Sequence, residues 1–397
     1  MISSGLDYLP LSFFDFILHF FYLLIYNKSE IINRKKNTLY GSSCRSLFHT
    51  LIKQRTIQKE NQRILVSPIL HTSFRNIIEL FFDPENITVL PMNKSYNKVL
   101  VTNDILKTDY DICVISHMFG QDLDTSELEK LQNKERCLFI EDRVQGGEFN
   151  KKYSSSIFDI SLYSCGMDKK PCALGGGILY ARKNGLDLII DTSNEIKTYK
   201  KETKLDRFLF LLKKIPTYLL YNCKFIIGVM LMLFRIFKID LYKFACYYRK
   251  TNPGFMHDNY NLQPCESTLQ SIQHALQNTE IIEKEQKLKS FYFLHLLEKF
   301  KIKNTSLPWT VDTRPGQHLL CIYNTLVIKN QTRFINQLNS RYIPVIENPT
   351  YKLFTFDYET KSQDEDFNNS LVYLPTLYNM PLWEIKELAG IINSYNI

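Results

Sequence analysis

The chain has 397 residues, with 49 Lys and Arg against 41 Asp and Glu and a formal net charge of +8. This length predicts about two domains with a sizeable core, which excludes a small scaffold held together by disulfides. The basic excess is small and spread along the chain, so we expect no nucleic-acid partner. The nine cysteines lack C-x-x-C spacing, which predicts reduced core residues of a cytoplasmic protein and no metal site.

The chain begins with an apolar segment, which we assign to residues 1–39. Its most apolar part, residues 9–26, contains Asp15 and His19 and has no basic residue ahead of it. It also lacks a cleavage site of small residues, so it is a poor match to a signal peptide.

Short β-type runs alternate with helical segments through the middle of the chain. We expect helices at residues 72–82 and 125–133 and strands at 64–66, 87–90, 112–115, 137–140, 160–163 and 177–180. This alternation predicts an α/β domain with a mostly parallel sheet flanked by helices. Ligands of such sheets bind beyond the carboxyl ends of the strands, where Asp142 and Ser164 fall.

A second apolar stretch, residues 215–234, follows this domain. It has the length of a membrane span but contains Pro216, Asn222 and Lys224. Basic residues flank it and continue beyond it at helical intervals. We therefore favour an amphipathic helix pair over a span, packed on the protein body or, through residues 208–248, lying on a membrane surface.

The character of the sequence changes again near residue 252. We expect a long helix at residues 267–300, a strand at 319–327 and a final helix after Pro381, which together indicate a smaller α+β domain. The predicted domains are therefore a large one at residues 40–250, including an apolar insertion at 205–249, and a small C-terminal one at 251–397.

Three segments of the large domain resemble one known family. They are residues 140–145 (IEDRVQ), residues 158–169 (FDISLYSCGMDK) and the pair Gly176-Gly177. Together they are similar to the core of the DegT/StrS-type sugar-nucleotide aminotransferases, which are fold-type I pyridoxal-phosphate enzymes. Further matches in the same order run from about residue 40 to the end of the chain, whereas the N-terminal 40 residues and the apolar insertion match only weakly. The resemblance implies a fold-type I large domain and pyridoxal 5'-phosphate as the cofactor.

The resemblance implies two catalytic residues. Lys169 lies seven residues before Gly176, the interval that the family shows between its Schiff-base lysine and its glycine pair, which selects it over Lys170. Asp142 would pair with the pyridinium nitrogen and keep it charged. The plainer alternatives are a solvated Lys-Lys pair on a loop and a helix N-cap, respectively.

The resemblance also implies contacts to the rest of the cofactor. Ser164 would donate its hydroxyl to the phosphate, and Ser43 and Cys44 would offer N–H groups at the start of a helix. Gln145 would contact the phenolic oxygen. His71 would stack over the pyridine ring, although a lone histidine is more often a structural residue.

A second subunit is implied as well, because family members form homodimers in which an Asn reaches the partner's phosphate. Asn261 and Asn259 are both candidates here. The family commonly has an Arg after this Asn, whereas this chain has Gln263. The contact that this Arg would make is therefore in doubt. Family members that dehydrate sugars carry His in place of the Schiff-base lysine, whereas this chain has Lys169.

These implications lead to one main hypothesis, a transaminase that moves an amino group from an amino-acid donor, expected to be glutamate, to a nucleotide-linked keto sugar. Such chemistry belongs to nucleotide-sugar metabolism and polysaccharide biosynthesis. The alternative is a catalytically degenerate homologue that serves as a membrane-associated binding or scaffold protein. A generic nucleotide-binding protein is disfavoured because Gly175-Gly176-Gly177 lacks G-x-G-x-x-G spacing and precedes a strand-like run.

Overall fold

The chain folds around a seven-stranded sheet in a computed structural model. The residues that this structure describes are 13–25, 37–58, 61–93, 98–117, 122–146, 149, 157–166, 169–222, 224–239, 260–299, 305–306, 324–328, 335–336, 346–347, 351–353, 371–374 and 381–393. The first eight strands are β1 (Thr38–Gly41), β2 (Ile64–Val66), β3 (Ile69–His71), β4 (Ile87–Val89), β5 (Ile112–Ser116), β6 (Leu138–Asp142), β7 (Ile160–Ser164) and β8 (Gly177–Ala181).

All of these strands except β3 form the central sheet, in the order β1-β8-β7-β6-β5-β2-β4. Strand β8 runs antiparallel to both of its neighbours, and the other six strands share one direction. Every residue of β5 and β6 is buried, as expected for a parallel sheet covered on both faces. The prediction of a mostly parallel sheet flanked by helices is therefore confirmed.

Helices cover this sheet because apolar residues recur at helical spacing between the strands. The helices are α1 (Phe13–Ile25), α2 (Cys44–Ile57), α3 (Thr72–Phe81), α4 (Asn103–Lys107), α5 (Leu186–Thr198), α6 (Lys204–Asn222), α7 (Lys224–Ile236), α8 (Glu266–Lys299) and α9 (Leu382–Asn393). Leu47 and Leu51 of α2 are buried one turn apart, and Phe48 stacks on Phe74 of α3 at 4.2 Å. The helix predicted at residues 72–82 is confirmed, whereas only a short 3-10 helix, Ser126–Lys130, forms within 125–133.

The second apolar stretch forms the helix pair α6 and α7, as predicted. Among the helices of the described residues, none combines the length and the apolar character that crossing a membrane requires. Helix α1 packs against this region, with Phe16 stacked on Tyr218 of α6 at 4.2 Å. Asp15 of α1 also accepts a hydrogen bond from His274 of α8 at 2.8 Å. Helix α1, which belongs to the first apolar segment, is thus packed on the folded body.

The C-terminal part contains the long helix α8 and the final helix α9, both as predicted. The remaining strands are β9 (Lys200–Lys201), β10 (Leu262–Gln263), β11 (Thr305–Ser306), β12 (Asn324–Ile328), β13 (Ile346–Glu347), β14 (Tyr351–Leu353) and β15 (Leu371–Leu374). Four of them form a sheet in the order β11-β12-β15-β13, and β14 pairs with β3. The domain boundaries near residues 40 and 250 stay predictions.

Candidate active site

Polar side chains converge where β5, β6 and β7 end. Ser116, the last residue of β5, lies in register with Asp142, the last residue of β6. Asp142 in turn lies opposite Leu162, two residues before Ser164 ends β7. The two residues that the sequence placed at the carboxyl edge of the sheet are therefore at that edge, next to each other.

Asp142 is fully buried and is held by two hydrogen bonds. Its Oδ2 accepts from the Ser116 hydroxyl at 2.8 Å, and its Oδ1 accepts from the Val144 N–H at 3.0 Å. Burial raises the pKa of the Asp142 carboxyl above its ordinary value, while these hydrogen bonds and the charge of Lys169 act in the opposite direction. The residues after Asp142 form a turn, so its side chain closes a turn and does not cap a helix.

Lys169 lies on the loop after β7 and is half-buried. Its charge lowers the pKa of the Asp142 carboxyl and that of the Cys44 thiol, although burial makes both pKa values higher than usual. The ammonium group is therefore electrostatically coupled to the end of β6 and to the start of α2. This position differs from that of a fully solvated loop lysine.

The start of α2 adjoins the same edge of the sheet. Ser43 is the N-cap, and its hydroxyl accepts from the Ser46 N–H at 3.0 Å. Gly41 and Ser164 lie on either side of Gly177 in the sheet register, which brings the turn before α2 close to the end of β7. The first turn of α2 contains no acidic residue, and a helix N-terminus attracts an anion.

A buried hydroxyl group without an acceptor indicates an anion-binding site at this turn. The Oγ atom of Ser42 is inaccessible to solvent and has no hydrogen-bond partner among the described residues. A buried hydroxyl without a partner costs free energy, so it needs an acceptor that the described residues do not supply. The phosphate of pyridoxal phosphate fits this requirement, because it would accept from Ser42 and from the first N–H groups of α2.

Gly177 allows this close approach of α2 to the sheet. A Cβ atom at this position would lie 2.4 Å from the Cys44 backbone N and 2.6 Å from its Cα. We expect Gly177→Ala to lower the free energy of unfolding by about 1–3 kcal/mol, because backbone atoms must move to relieve the overlap. Urea-induced unfolding would measure this change.

The matched control is Gly390→Ala, since a Cβ at Gly390 of α9 would meet nothing within 4 Å. That substitution should leave the protein equally stable or stabilise it by up to about 1 kcal/mol, because alanine is the better helix former. Equal stabilities of the two variants would contradict the close packing at Gly177.

A buried charge network lies beside Asp142. The Glu141 carboxylate accepts from the hydroxyl of Ser161, from His117 Nε2 at 3.1 Å and from Arg143 Nη1 at 3.1 Å. Arg143 Nη2 also donates to Asp122 at 2.8 Å. The His117 ring is the Nε2–H tautomer, because its Nδ1 accepts the backbone N–H of Leu123 at 3.0 Å. The network ties the end of β6 to the loop after β5.

Through Glu141, this network makes the free energy of unfolding depend on pH. Burial alone would raise the pKa of Glu141, but the hydrogen bond from His117 and the charge of Arg143 outweigh burial and hold that pKa well below its usual range. A carboxyl whose pKa is lower in the folded chain stabilises the fold above its unfolded pKa of about 4.3, and this contribution is lost as the pH falls.

We expect Glu141→Gln to lower the free energy of unfolding at neutral pH by about 3 kcal/mol, because it removes one partner of a buried ion pair. The loss should shrink as the pH falls below about 4.3, because the unfolded wild-type chain then binds a proton at Glu141 that the folded chain, with its lower pKa, does not. Urea denaturation at a series of pH values would measure both effects. A loss that does not depend on pH would contradict the low pKa.

The three other described residues with predicted cofactor contacts are His71, Gln145 and Asn261. His71 is the N-cap of α3, where its Nδ1 accepts from the Ser73 N–H at 3.2 Å. Gln145 is buried in the turn after β6. Asn261 is exposed just before β10, and Asn259 lies outside the described residues. Stacking by His71 and the cofactor contacts of Gln145 and Asn261 therefore stay predictions.

Gln263 occupies the position where the family that the sequence resembles commonly has Arg. Here its side chain binds two backbone carbonyl groups. Its side-chain amide donates to the carbonyl oxygens of Lys197 at 2.6 Å and Tyr199 at 2.8 Å. The side chain therefore closes the C-terminal end of α5, and the substitution from Arg has a structural explanation.

Two serines of the site escaped the sequence analysis. Ser116 donates to Asp142, and the hydroxyl of Ser67, just after β2, accepts the Ser116 N–H at 3.0 Å. Both follow buried β-type runs, as Ser164 does, so a search for a small polar residue at every strand end would have found them. Ser42 lies in the same turn as the predicted contacts Ser43 and Cys44, but only its burial shows that its own hydroxyl needs a partner.

No protein-family model matches the chain, and no curated protein matches it. Among solved structures, 3-amino-5-hydroxybenzoic acid synthase shares 10% identity with a TM-score of 0.66, over 99% of this chain and 98% of the other. A sugar aminotransferase from Micromonospora echinospora shares 12% identity with a TM-score of 0.64, over 99% and 100%. E. coli GDP-4-keto-6-deoxy-D-mannose-3-dehydratase, solved with hydrated PLP, shares 13% identity with a TM-score of 0.65, over 99% and 100%. Over almost its whole length, this chain therefore has the fold of these three proteins, which is the fold-type I architecture.

Proposed function

We propose that the chain is a pyridoxal-phosphate-dependent transaminase that transfers an amino group from glutamate to a nucleotide-linked keto sugar. The observation that carries this proposal is the convergence of buried Asp142, Ser164 and the start of α2 at one end of the sheet. Lys169 lies on the loop that follows β7 at this end. The names of the similar structures include sugar aminotransferases, and one of them is a dehydratase solved with PLP.

Each residue of the site matches one requirement of that cofactor. The amine of Lys169 would bind the aldehyde, and Asp142 would bind the ring nitrogen. The N–H groups of Ser43 and Cys44 would bind the phosphate together with the hydroxyls of Ser42 and Ser164. Gln145 would donate to the phenolic oxygen, and His71 would stack on the ring. When bound, the cofactor supplies an electron sink for amino-group chemistry.

The chain's own residues would then handle charge and protons. Burial raises the pKa of Asp142, so its charged form gains from a cationic partner such as a protonated ring nitrogen. The hydrogen bonds from Ser116 and Val144 fix the direction of that carboxylate. Lys169 Nζ would take the proton from the substrate carbon and return it, as general base and acid.

The alternative is a degenerate homologue that acts as a membrane-associated scaffold. One argument for it is Arg143, because the family has small residues at that position. Arg143, however, forms buried ion pairs with Asp122 and Glu141. The charges of these two carboxylates raise the pKa of Arg143 by more than burial lowers it. A departure with this structural role gives no support for loss of catalysis, so the enzyme is the better proposal.

The same family resemblance supports proposals for the oligomeric state, the cellular location and the metabolic role. We propose a homodimer in which Asn261, exposed in the single chain, approaches the partner's phosphate site. We place the enzyme in the cytoplasm, in nucleotide-sugar metabolism that supplies polysaccharide biosynthesis.

A half-reaction tests the activity without knowledge of the sugar. The purified chain, loaded with pyridoxal phosphate, should release 2-oxoglutarate from glutamate and convert its cofactor to the amine form. A panel of nucleotide-linked keto sugars would then identify the acceptor by renewed 2-oxoglutarate release. Absence of the half-reaction with glutamate and with other amino donors, in protein that holds the cofactor, would contradict the proposal.

A further inference from the structure

Helices α1 and α6 each expose a row of large apolar side chains. These residues recur three, four and seven positions apart, so each row lies on one helix face. The exposed residues are Phe21, Leu24 and Ile25 of α1 and Leu205, Phe208, Leu209 and Leu212 of α6, which we call the α1–α6 surface. Exposed apolar patches of this kind mark interaction sites.

The two rows belong to one surface because the helices pack side by side. Phe20 of α1 meets Phe208 of α6 edge-to-face at 6.2 Å between ring centroids. The opposite faces of the helices are buried, with Leu23 and Leu211 in one apolar cluster that also contains Leu174. The exposed rows therefore point away from the body of the protein.

The charges beside this surface are mostly positive. On α6, α7 and the turn after them, the exposed charged side chains of the described residues are Lys204, Asp206, Lys213, Arg235 and Lys238. Four of these five are basic. A symmetric contact with a second copy of the chain would bring like charges together, which is unfavourable, whereas an anionic surface would complement them.

We propose that the α1–α6 surface docks on an anionic lipid bilayer, with both helices lying in the plane of the headgroups. Apolar side chains would enter the headgroup–acyl boundary, and the flanking Lys and Arg would contact lipid phosphates. Met232, Leu233 and Ile236 of the next helix, α7, are exposed apolar side chains as well. This docking would attach the enzyme to the membrane without a spanning helix, and it is independent of the reaction.

Flotation with vesicles tests the proposal on the full chain. We expect the wild type to float with vesicles of phosphatidylcholine and phosphatidylserine, to float less as salt is added, and to stay behind with phosphatidylcholine alone. The combined variant Leu24→Glu, Leu205→Glu and Leu209→Glu should lose at least about tenfold in bound fraction, because each glutamate adds repulsion and removes an apolar contact. The side chains replaced are 73%, 65% and 46% exposed, so the fold should tolerate the change.

The matched control places the same three glutamates elsewhere, as Ile57→Glu, Trp383→Glu and Ile190→Glu. These side chains are 69%, 60% and 54% exposed, and the control should float like the wild type. Wild-type protein that ignores anionic vesicles, or a surface variant that still floats, would overturn the proposal. A smaller particle mass for the surface variant alone, measured by light scattering without vesicles, would also overturn it, because the surface would then be a subunit interface.

Discussion

Replacing Lys169 with alanine is expected to lower the transamination rate by about 10³-fold or more, because the variant lacks the amine proposed to bind the cofactor aldehyde and to transfer the proton. The loss should appear in kcat as well as in kcat/KM, since both roles belong to the reaction itself. The rate of 2-oxoglutarate formation from glutamate would measure it.

Lys170→Ala is the control for this experiment. Lys170 is the neighbouring residue on the same loop and has the same charge, but the family spacing selects Lys169. The control should keep the cofactor adduct and most of the activity. Equal losses in the two variants would mean that the loop, and not one amine, supports the reaction.

Asp142→Asn should lower kcat by about 10²-fold without lowering the stability of the cofactor-free chain. The amide oxygen can still accept from Ser116 or Val144. The negative charge that we propose to pair with the ring nitrogen is lost. A carboxyl with a raised pKa destabilises the fold at neutral pH, so its removal relieves that cost. Steady-state kinetics and urea unfolding of the cofactor-free protein would measure the two effects.

Asp159→Asn separates the charge effect from general effects of a buried carboxyl. Burial also raises the pKa of Asp159, which accepts the Phe139 N–H at 3.0 Å. Asp159 lies just before β7, at the opposite edge of the sheet, so its substitution should leave kcat near the wild-type value. A similar fall in kcat for both variants would contradict a specific role for Asp142.

The sequence predicted the main features of the fold because local patterns determine them. Buried strands such as β5 and β6 are continuous apolar runs, and α3 has clear helical periodicity. Asp142 and Ser164 could be placed at one edge of the sheet because parallel strands end together. The strand β1 was not predicted as a strand, because its sequence TLYG lacks an aliphatic run such as the ILV of β2.

The details of the site depend on contacts between distant residues. Arg143 pairs with Asp122, which only the folded loop brings close. Ser46 donates to the carbonyl oxygen of Tyr260, more than two hundred positions away, which fixes the chain just before Asn261. Such partners leave no periodic signal, so spacing alone could not identify them.

The packing of α1 was also beyond the sequence analysis. Its apolar residues favoured a separate N-terminal segment, yet Phe16 packs on α6 and Asp15 pairs with His274 of α8. An apolar helix has the same pattern whether it covers a protein body or contacts lipid. Only the exposed fractions of its two faces separate these roles, and here one face is buried while the other is exposed.

Reduction with borohydride followed by peptide mass mapping tests the central proposal most directly. Protein incubated with pyridoxal 5'-phosphate and then reduced should carry the phosphopyridoxyl group on Lys169, in a single peptide. The adduct should be absent from Lys169→Ala and present in Asp142→Asn under saturating cofactor. A label on another lysine, or no label in folded wild-type protein, would contradict the proposed site.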